Sequence, residues 1–333
     1  MPIRMAQYGT KHGHAAGKAR AILTNPNAEL TGIYEPDPVA QAAAEVSDAY
    51  AGVHWYRSED ELLGDGRVRA IAIEGGNSES LAMASAAIDA GKHLWYDKPA
   101  GDDWPGFEGL VQRARAGSLQ IQMGYMFRYH EGFRQIAHYV QSGLIGDVFS
   151  VRAHMSTWIP MNGRNSREVI SRHHGGIFYD LGGHVLDQVV WLCGRPRRVQ
   201  SFFRNDATPN LPAFSDNTLG VFEFDRAMAF VDIAAMEARP MARRFEVYGS
   251  RGTAIMEPFE SEPSLWLCLD ESRDGYAAGP QPVPLAPQPR QVLYERELIA
   301  FLATLEGKQP PDRGLGHELL VQETLLRATG GIA

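Results

Sequence analysis

The sequence predicts an α/β fold followed by an α+β fold, and three features support this prediction. From residue 1 to about residue 125, short apolar stretches alternate with helical patterns, which is typical of a parallel sheet covered on both faces. Beyond that point, long stretches alternate apolar and polar residues, which favours an antiparallel sheet with one packed and one open face. A glycine turn, YGTKHGHAAG at residues 8–17, follows the first strand.

In the first domain, strands and helices follow one another in a regular order. Four stretches predict strands that end in acidic, glycine or proline residues: TGIYEPD at 31–37, RVRAIAIEGGN at 67–77, HLWYDKP at 93–99 and LQIQMGYM at 119–126. SLAMASAAIDAGKH predicts a helix that stops at Gly91, and FEGLVQRARAG predicts another.

The second domain begins with a helical segment, EGFRQIAHYVQSG. The strands expected after it are DVFSVRAHMSTW at 147–158, NTLGVFEFD at 217–225, AMAFVDIAAME at 227–237 and RRFEVYGSRGTAIME at 243–257. The proline-rich AAGPQPVPLAPQPR at 277–290 predicts an extended surface connection. Helical patterns follow in YERELIAFLATLEG and HELLVQETLLRATG.

Composition excludes several classes of partner. A formal net charge of −8 argues against nucleic acid, which normally selects a basic surface. No apolar run approaches the roughly 20 residues of a membrane-spanning helix, and no apolar signal segment follows Met1. Two cysteines, Cys193 and Cys268, suit a reducing compartment. We therefore expect a cytoplasmic protein with a small-molecule substrate.

The glycine turn is the first candidate functional element. In a dinucleotide fold, such a turn brings the amino terminus of the next helix to the pyrophosphate. Gly9 supplies the turn, but in the G-x-G-x-x-G register Lys11 and His14 occupy the other glycine positions. Glu35 ends the next strand about 20 residues further on, where a carboxylate that binds the adenosine ribose is expected. We interpret the loop as an altered dinucleotide loop in which the ammonium of Lys11 lies beside the pyrophosphate.

Two further stretches resemble the motifs of a known family. Both resemble motifs of the glucose–fructose oxidoreductase/inositol dehydrogenase/MocA (Gfo/Idh/MocA) oxidoreductases. The stretch AGKHLWYDKPAG at 90–101 resembles the family's Glu-Lys-Pro motif. The stretch GGIFYDLGGHVLDQVVWLCG at 175–194 resembles its Asp-x-Gly-x-His motif. The first motif reads Asp97-Lys98-Pro99 here, and the second is intact. GYMFRYHEGFRQIAHYVQSGLIGDVFSVR and FEVYGSRGTAIME resemble the family's domain junction and late strand, so the resemblance covers nearly the whole chain.

The resemblance implies a Rossmann NAD(P)-binding domain at 1–125 and a substrate-binding and oligomerisation domain at 126–333. Because the carboxylate of Glu35 would repel a 2′-phosphate, we expect NAD to be preferred over NADP. The catalytic residues that it implies are Lys98, Asp180 and His184. The expected cofactor-binding residues are Gly9, Thr10, Lys11, His12, Glu35, Gly75, Gly76, Asn77, Asp97 and Lys98. The expected substrate-binding residues are Arg128, His154, Trp158, Asp180 and His184, with Arg164, Arg172, His173 and His174 as further candidates. No resident metal is expected.

The residues themselves support the same chemistry. Lys98 follows a strand, and open α/β sheets bind ligands at the carboxyl ends of their strands. Asp180 and His184 are four residues apart and share one helix face, while Gly182 and Gly183 in an apolar helix indicate a close approach. In the implied reaction, His184 is the general base for a secondary alcohol and Lys98 stabilises the same oxygen while hydride passes to the nicotinamide. Asp180 orients the substrate.

Several functional hypotheses stay open at this point. The first is an NAD-dependent sugar or polyol dehydrogenase, and the alternative is a glycosidase that oxidises a ring carbon transiently. A sugar sensor without activity is a third. The fourth is a metal-dependent hydrolase or isomerase, for which the ligands His154, His173, His174, Asp180 and His184 match no metal motif in spacing.

A homodimer or homotetramer is also expected. The stretch VFEFDRAMAFVDIAAMEA carries more apolar surface than one layer of helices needs, at Val221, Phe222, Phe224, Phe230 and Val231. Such a surplus is typical of a sheet that is buried against a second subunit.

Overall fold

The structure is a computed structural model that describes residues 1–163, 166–238, 243–260 and 262–332. These residues form two compact units. The first comprises Met1–Tyr125 and Tyr294–Leu319, and the second comprises Met126–Leu293 and Leu320–Ala333. The sequence alone placed all of 126–333 in one domain, whereas Tyr294–Leu319 belongs to the first unit.

A parallel sheet forms the centre of the first unit. Its strands are β1 (Ile3–Tyr8), β2 (Ala28–Tyr34), β3 (Ala70–Ile73), β4 (His93–Tyr96) and β5 (Ile121–Met123). Their order in the sheet is β2-β1-β3-β4-β5, and every neighbouring pair is parallel. All four residues of β3 are buried, as expected where helices cover both faces of a parallel sheet.

The helices of this unit are α1 (Ala15–Thr24), α2 (Pro38–Glu45), α3 (Glu59–Gly64), α4 (Ser80–Asp89) and α5 (Trp104–Ala116). Three of these five helices, α2, α3 and α5, begin after a side chain that caps them. Helix α2 begins with a proline, and the side chain of Asp37 accepts hydrogen bonds from the next free amides. Asp103 caps α5 in the same way.

The second unit contains an eight-stranded sheet. Its strands are β6 (Val148–His154), β7 (Arg198–Arg204), β8 (Asn217–Glu223), β9 (Met228–Ala234), β10 (Arg244–Gly249), β11 (Gly252–Met256), β12 (Leu265–Leu269) and β13 (Gly279–Val283). The order is β13-β12-β11-β10-β6-β9-β8-β7, and only β6 and β9 pair in parallel. The helices are α6 (Glu131–Gln141), α7 (Arg167–Ile170) and α8 (Ile177–Cys193). The two sheets confirm the predicted fold class.

The faces of the second sheet differ in their surroundings. Helix α8 covers one face, where the ring of Phe178 lies 5.9 Å from that of Phe203 and against Gly220. The other face, which we call the open face, carries a row of aligned residues from β7 to β13: Gln200, Val221, Phe230, Arg152, Glu246, Ile255, Trp266 and Pro282. The alternation along each strand thus separates a core face from a face with large apolar side chains.

Two segments differ from the expectations. RRFEVYGSRGTAIME forms the hairpin β10–β11, with Gly249 opposite Gly252, and not one strand. Strand β13 lies inside the proline-rich stretch and pairs with β12 alone. Proline is tolerated there because one side of an edge strand needs no amide donors.

Two helices lie near the end of the chain, namely α9 (Arg290–Leu305) and α10 (Leu315–Thr329). The first unit takes Tyr294–Leu319, which is most of α9 and the first turn of α10, and the rest of α10 belongs to the second unit. Gln122 Nε2 donates a hydrogen bond to the carbonyl of Glu297 at 3.0 Å. Arg313 Nη2 donates to the carbonyl of Met123 at 2.5 Å, and Glu318 Oε1 accepts the amide of Met123 at 3.2 Å. The last two bonds satisfy the amide and carbonyl of Met123 at the edge of β5. In the described part of the chain, we find no helix of the length and apolarity that crossing a membrane requires.

Candidate active site

The loop after β1 brings the ends of β1 and β3 together. Gly9 has a φ of +89°, and a Cβ on this residue would lie 2.6 Å from the amide nitrogen of Gly75. Only glycine fits such a turn and such an approach. Gly75 is equally crowded, since its own Cβ would lie 2.4 Å from Met83 Sδ. The next residues, Gly76 and Asn77, form the turn that leads into α4.

Glu35 lies buried at the end of β2 and fixes the start of the loop. Its Oε2 accepts hydrogen bonds from the amide of Thr10 at 2.6 Å and from the Thr10 hydroxyl at 2.9 Å. Its Oε1 accepts the amide of Asp37 at 3.0 Å. A carboxylate offers about four acceptor positions, so one position on Oε1 is left for a ligand hydroxyl.

Lys11 joins two neighbouring loops through ion pairs. Its Nζ lies 3.1 Å from Asp37 Oδ2 and 3.1 Å from Glu79 Oε2. Burial opposes the charge on Lys11, but the hydrogen bonds to Glu79 and Asp37 outweigh it and raise the pKa of the ammonium. The lysine is therefore a fixed positive charge at the loop, and its contact with a pyrophosphate stays a prediction.

A buried polar cluster surrounds Asp97, directly before Lys98. Asp97 Oδ1 accepts the amide of Lys98 at 2.8 Å, and Asp97 Oδ2 lies 2.9 Å from His14 Nδ1. Lys18 Nζ lies 3.0 Å from both Asp97 Oδ2 and Glu74 Oε1. The same ammonium lies 4.4 Å from the ring centre of Trp95, within the range of a cation–π contact. The backbone of Lys98 is thus held through Asp97 by groups from α1.

Burial and charge act against each other in this cluster. Burial opposes the charges of Asp97 and Lys18, but their opposite charges hold the pKa of Asp97 well below its usual range and raise the pKa of Lys18. Burial lowers the pKa of His14 to about 3, so its ring is neutral at pH 7. Burial also raises the pKa of Glu297, on α9, to about 8.

The sequence reasoning missed most of this cluster. Lys18 resembles an ordinary exposed lysine on a helix, yet it is fully buried. Glu74, directly after β3, was not among the expected site residues. The one signal that pointed here was the His12-Gly13-His14 pattern, which places two imidazoles on one short loop.

In the second unit, α8 carries the other two proposed catalytic residues. Asp180 lies in the first turn, and His184 follows one turn later, buried with its ring 5.3 Å from that of Phe127. Gly182 in this helix has a packing role, because a Cβ on this residue would lie 3.1 Å from the Phe178 ring and 3.2 Å from Leu325. The close approach expected at Gly182 is therefore made by protein side chains.

Arg128 is buried and bonded to the same helix. Its Nη2 lies 2.6 Å from Asp187 Oδ1 and its Nε 3.1 Å from Asp187 Oδ2, in a bidentate arrangement. Its guanidinium also lies 3.9 Å from the ring centre of Trp191. Arg128, expected to bind substrate, thus anchors α8 three residues after His184.

The remaining candidates are dispersed over the second unit. His154 lies at the end of β6 on the open face, opposite the face that α8 covers, and is aligned with Asp232. Trp158 is half exposed, and the buried His173 stacks on Tyr179 at 4.6 Å. Arg164 lies outside the described residues. Across the described ranges, His154, His173, His174, Asp180 and His184 do not form a group that could hold a metal.

Two family models match this chain. The model of the GFO/IDH/MocA C-terminal domain matches residues 133–255. The model of the oxidoreductase family with NAD-binding Rossmann fold matches residues 4–125. The chain belongs to the Gfo/Idh/MocA family of oxidoreductases.

Several curated relatives share about a quarter of the aligned residues with this chain. An inositol 2-dehydrogenase/D-chiro-inositol 3-dehydrogenase of Lacticaseibacillus casei is 27% identical over 197 residues, which cover 58% of this chain and 53% of the relative. The chain spans 66%, 41% and 42% of the length of three further curated relatives.

Solved structures of similar fold cover the whole chain. A putative NADPH-dependent oxidoreductase from Desulfitobacterium hafniense has a TM-score of 0.83 at 18% identity, covering 100% of this chain and 96% of that one. An oxidoreductase from Agrobacterium radiobacter, in complex with NAD+, L-tartaric acid and magnesium, has a TM-score of 0.82 at 16% identity, covering 98% and 94%. At 16% and 18% sequence identity, the similarity to these two structures shows that the fold is shared.

The first unit of this Gfo/Idh/MocA oxidoreductase fits a dinucleotide. The strand order changes direction between β1 and β3, and α/β folds bind nucleotides at such a point. Gly9 permits the tight turn there, and α1 begins directly after the loop. Glu35 would hold the ribose, while Thr10, Lys11 and the Gly75–Asn77 turn would surround the phosphates and the nicotinamide side.

Proposed function

We propose that this chain is an NAD-dependent oxidoreductase that transfers a hydride between the nicotinamide and a secondary alcohol of a sugar, polyol or sugar derivative. The substrate class rests on the likeness to the inositol dehydrogenase. The observation that carries the proposal is the setting of Lys98. Its side chain is buried at the carboxyl end of β4, and its amide is fixed by Asp97. A buried lysine at this position is suited to ligand binding and not to solvation.

Each proposed catalytic residue has one task. A bound nicotinamide supplies the acceptor or donor of the hydride. His184 takes the proton of the substrate hydroxyl, because imidazole titrates near neutral pH. Lys98 donates a hydrogen bond to the same oxygen and stabilises its developing negative charge. Asp180, one turn before His184, orients the substrate, and Trp158 offers a half-exposed ring for a sugar face.

The test of this function is the effect of His184→Ala and Lys98→Ala on turnover. A panel of sugars, inositols and sugar acids is first screened for NADH formation. Each variant should then lose at least about a hundredfold in kcat, because a general base or a positioned donor contributes about 10² to 10⁴ in rate. NAD affinity, measured by calorimetry, should change far less. The two effects should not add, since both groups act on one oxygen.

Two surface variants serve as matched controls. His138 lies exposed on α6, and Lys308 is 64% exposed. His138→Ala and Lys308→Ala should keep the parent turnover. A His184→Ala enzyme that turns over near the parent rate would refute the assignment. Substrate conversion without net NADH would instead favour the transient oxidation of a glycosidase.

The preference for NAD over NADP is proposed from Glu35. The 2′-phosphate of NADP would meet this buried carboxylate, and like charges in contact cost several kcal/mol. We expect NAD to bind at least about a hundredfold more tightly than NADP in titration calorimetry. Glu35→Gln should reduce that ratio by about tenfold or more, whereas the exposed Glu45→Gln should not change it. Equal affinities of the parent protein for both cofactors would contradict the role of Glu35.

A further inference from the structure

Two loops of the first unit lie against each other at the ends of β1 and β3. One is the loop after β1, which contains Lys11, and the other is the turn after β3, which leads through Gly76 into α4. The amide of His12 donates to the carbonyl of Glu74 at 2.9 Å and joins the two loops. A side chain that crosses from one loop to the other therefore lies at the place proposed for the cofactor phosphates.

Glu79, directly before α4, makes such a crossing. Its Oε2 accepts a hydrogen bond from the Lys11 ammonium at 3.1 Å, and its Oε1 accepts the amide of Gly76 at 2.9 Å. The stem of Lys11 also lies close to this turn, since a Cβ on Gly76 would be 4.0 Å from Lys11 Cδ. The bond from Gly76 thus fixes the Glu79 carboxylate where it faces the ammonium.

A carboxylate and a phosphate make the same demand on Lys11. Both are anions that accept charge-assisted hydrogen bonds from an ammonium. An ammonium has three N–H groups, and the Nζ of Lys11 also lies 3.1 Å from Asp37 Oδ2. With two carboxylates already in contact, at most one N–H is left for a further anion. Glu79 and a phosphate oxygen therefore compete for the same cation.

The pair of Lys11 and Glu79 is open to exchange. The side chain of Lys11 is 26% exposed and that of Glu79 is 31% exposed. Ion pairs with such access to water contribute little to stability, so an anionic ligand can replace one partner. Glu35 differs in this respect, because it is buried and bonded to the amide of Thr10.

We propose that Glu79 sets the affinity for the cofactor by competing with its pyrophosphate for the ammonium of Lys11. Lys11 exchanges the Glu79 carboxylate for a phosphate oxygen on binding and returns to it on release. This inference rests on the proposed function, because it concerns the cofactor of that reaction. It adds a residue that opposes cofactor binding to those expected to favour it.

The test is the affinity of Glu79→Gln for ADP-ribose, which carries the pyrophosphate without the nicotinamide. Glutamine keeps the shape of the side chain and removes its charge. Titration calorimetry should show binding about two- to fivefold tighter than in the parent protein, as expected for one partly exposed ion pair. Glu45→Gln, at an exposed position of α2, is the matched control and should leave the affinity unchanged. Adenosine, which has no phosphate, should bind Glu79→Gln and the parent equally.

A double variant separates competition from plain repulsion between Glu79 and the pyrophosphate. Lys11→Met keeps most of the stem but removes the ammonium, so the carboxylate has no cation to withhold. In the Lys11→Met protein, Glu79→Gln should therefore lose most of its gain in ADP-ribose affinity. Repulsion alone would give a gain of the same size with and without Lys11.

The outcomes distinguish this inference from the proposed function. Equal or weaker binding of ADP-ribose by Glu79→Gln, a gain that adenosine shares, or a gain that persists in Lys11→Met would each overturn the role of Glu79. None of these results would affect the proposed dehydrogenase. A parent protein that binds neither NAD nor ADP-ribose would instead refute the proposed function, and the role of Glu79 with it.

Discussion

His154, on the open face, connects two carboxylates. Its Nδ1 bonds to Asp232, and its Nε2 lies 2.7 Å from Glu237 Oε2. With a carboxylate at each ring nitrogen, both nitrogens act as donors, which is the charged form of the ring. The hydrogen bond to Asp232 raises the pKa of His154, against the effect of burial and with further help from Glu237.

This raised pKa gives a pH dependence of stability with a definite sign. The ion pairs stabilise the fold fully below the unfolded pKa of about 6.5, and that contribution is lost as the pH rises through the higher folded pKa. His154→Gln should therefore lower the melting temperature more at pH 6 than at pH 9. The groups are partly exposed, so the difference should be on the order of 1–2 °C.

Thermal unfolding of the parent protein and of His154→Gln at both pH values measures this effect. His138→Gln, at the exposed histidine of α6, is the control and should shift both melting temperatures equally. A loss from His154→Gln that is the same at pH 6 and pH 9 would show that the ring is not charged in the fold.

Single residues were predictable from the sequence where a motif fixed them. Gly9 and Glu35 have clear spacing, and the structure places both at strand ends beside the loop. Lys18 and Glu297 could not be found in this way, since their burial depends on which helix faces meet. Arg128 shows the same limit, because a sequence gives no sign that Asp187 will lie opposite it.

At the scale of elements, periodicity predicted most strands and helices, and contacts with neighbours decided the rest. Strand β13 contains two prolines, and only its place beside β12 makes it a strand. Strands β7 and β12 were not expected. None of the residues of β7 is fully buried, so the strand lacks a buried face that would mark it in the sequence. This segment is a strand because it pairs with β8 along its whole length.

Helices α9 and α10 show why the domain boundary could not be read from the chain alone. Their helical patterns are clear in the sequence, but nothing in a pattern says which sheet a helix joins. The decision rests on specific bonds, such as those from Arg313 and Glu318 to the edge of β5. For this reason the sequence predicted two domains that each consist of one continuous segment.

For the whole molecule, we predict a homodimer or homotetramer formed through the open face. Of the residues first suggested, Phe222, Phe224 and Val231 are buried, while Val221 and Phe230 lie on the open face. Phe202 and Trp266 on the same face are 54% and 47% exposed. Exposed aromatic side chains on an ordered sheet are typical of a protein interface.

Light scattering at micromolar protein should give at least twice the mass of one chain. Phe230→Arg places a charge in the centre of the open face and should shift the mass toward one chain. Val39→Arg, at an exposed position of α2, is the matched control and should leave the mass unchanged. A parent protein that scatters as a single chain would contradict the prediction.

The division of the chain into two interleaved units has a consequence for its synthesis. The chain passes from one unit to the other after Tyr125, after Leu293 and after Leu319. A ribosome that has released only residues 1–125 has delivered β5 without Arg313 and Glu318, and Lys18 without the neighbouring α9. Neither unit can reach its final form before α10 has emerged. The first unit therefore stays incomplete until Tyr294–Leu319 has been synthesised, and the second until the residues after Leu319 have been.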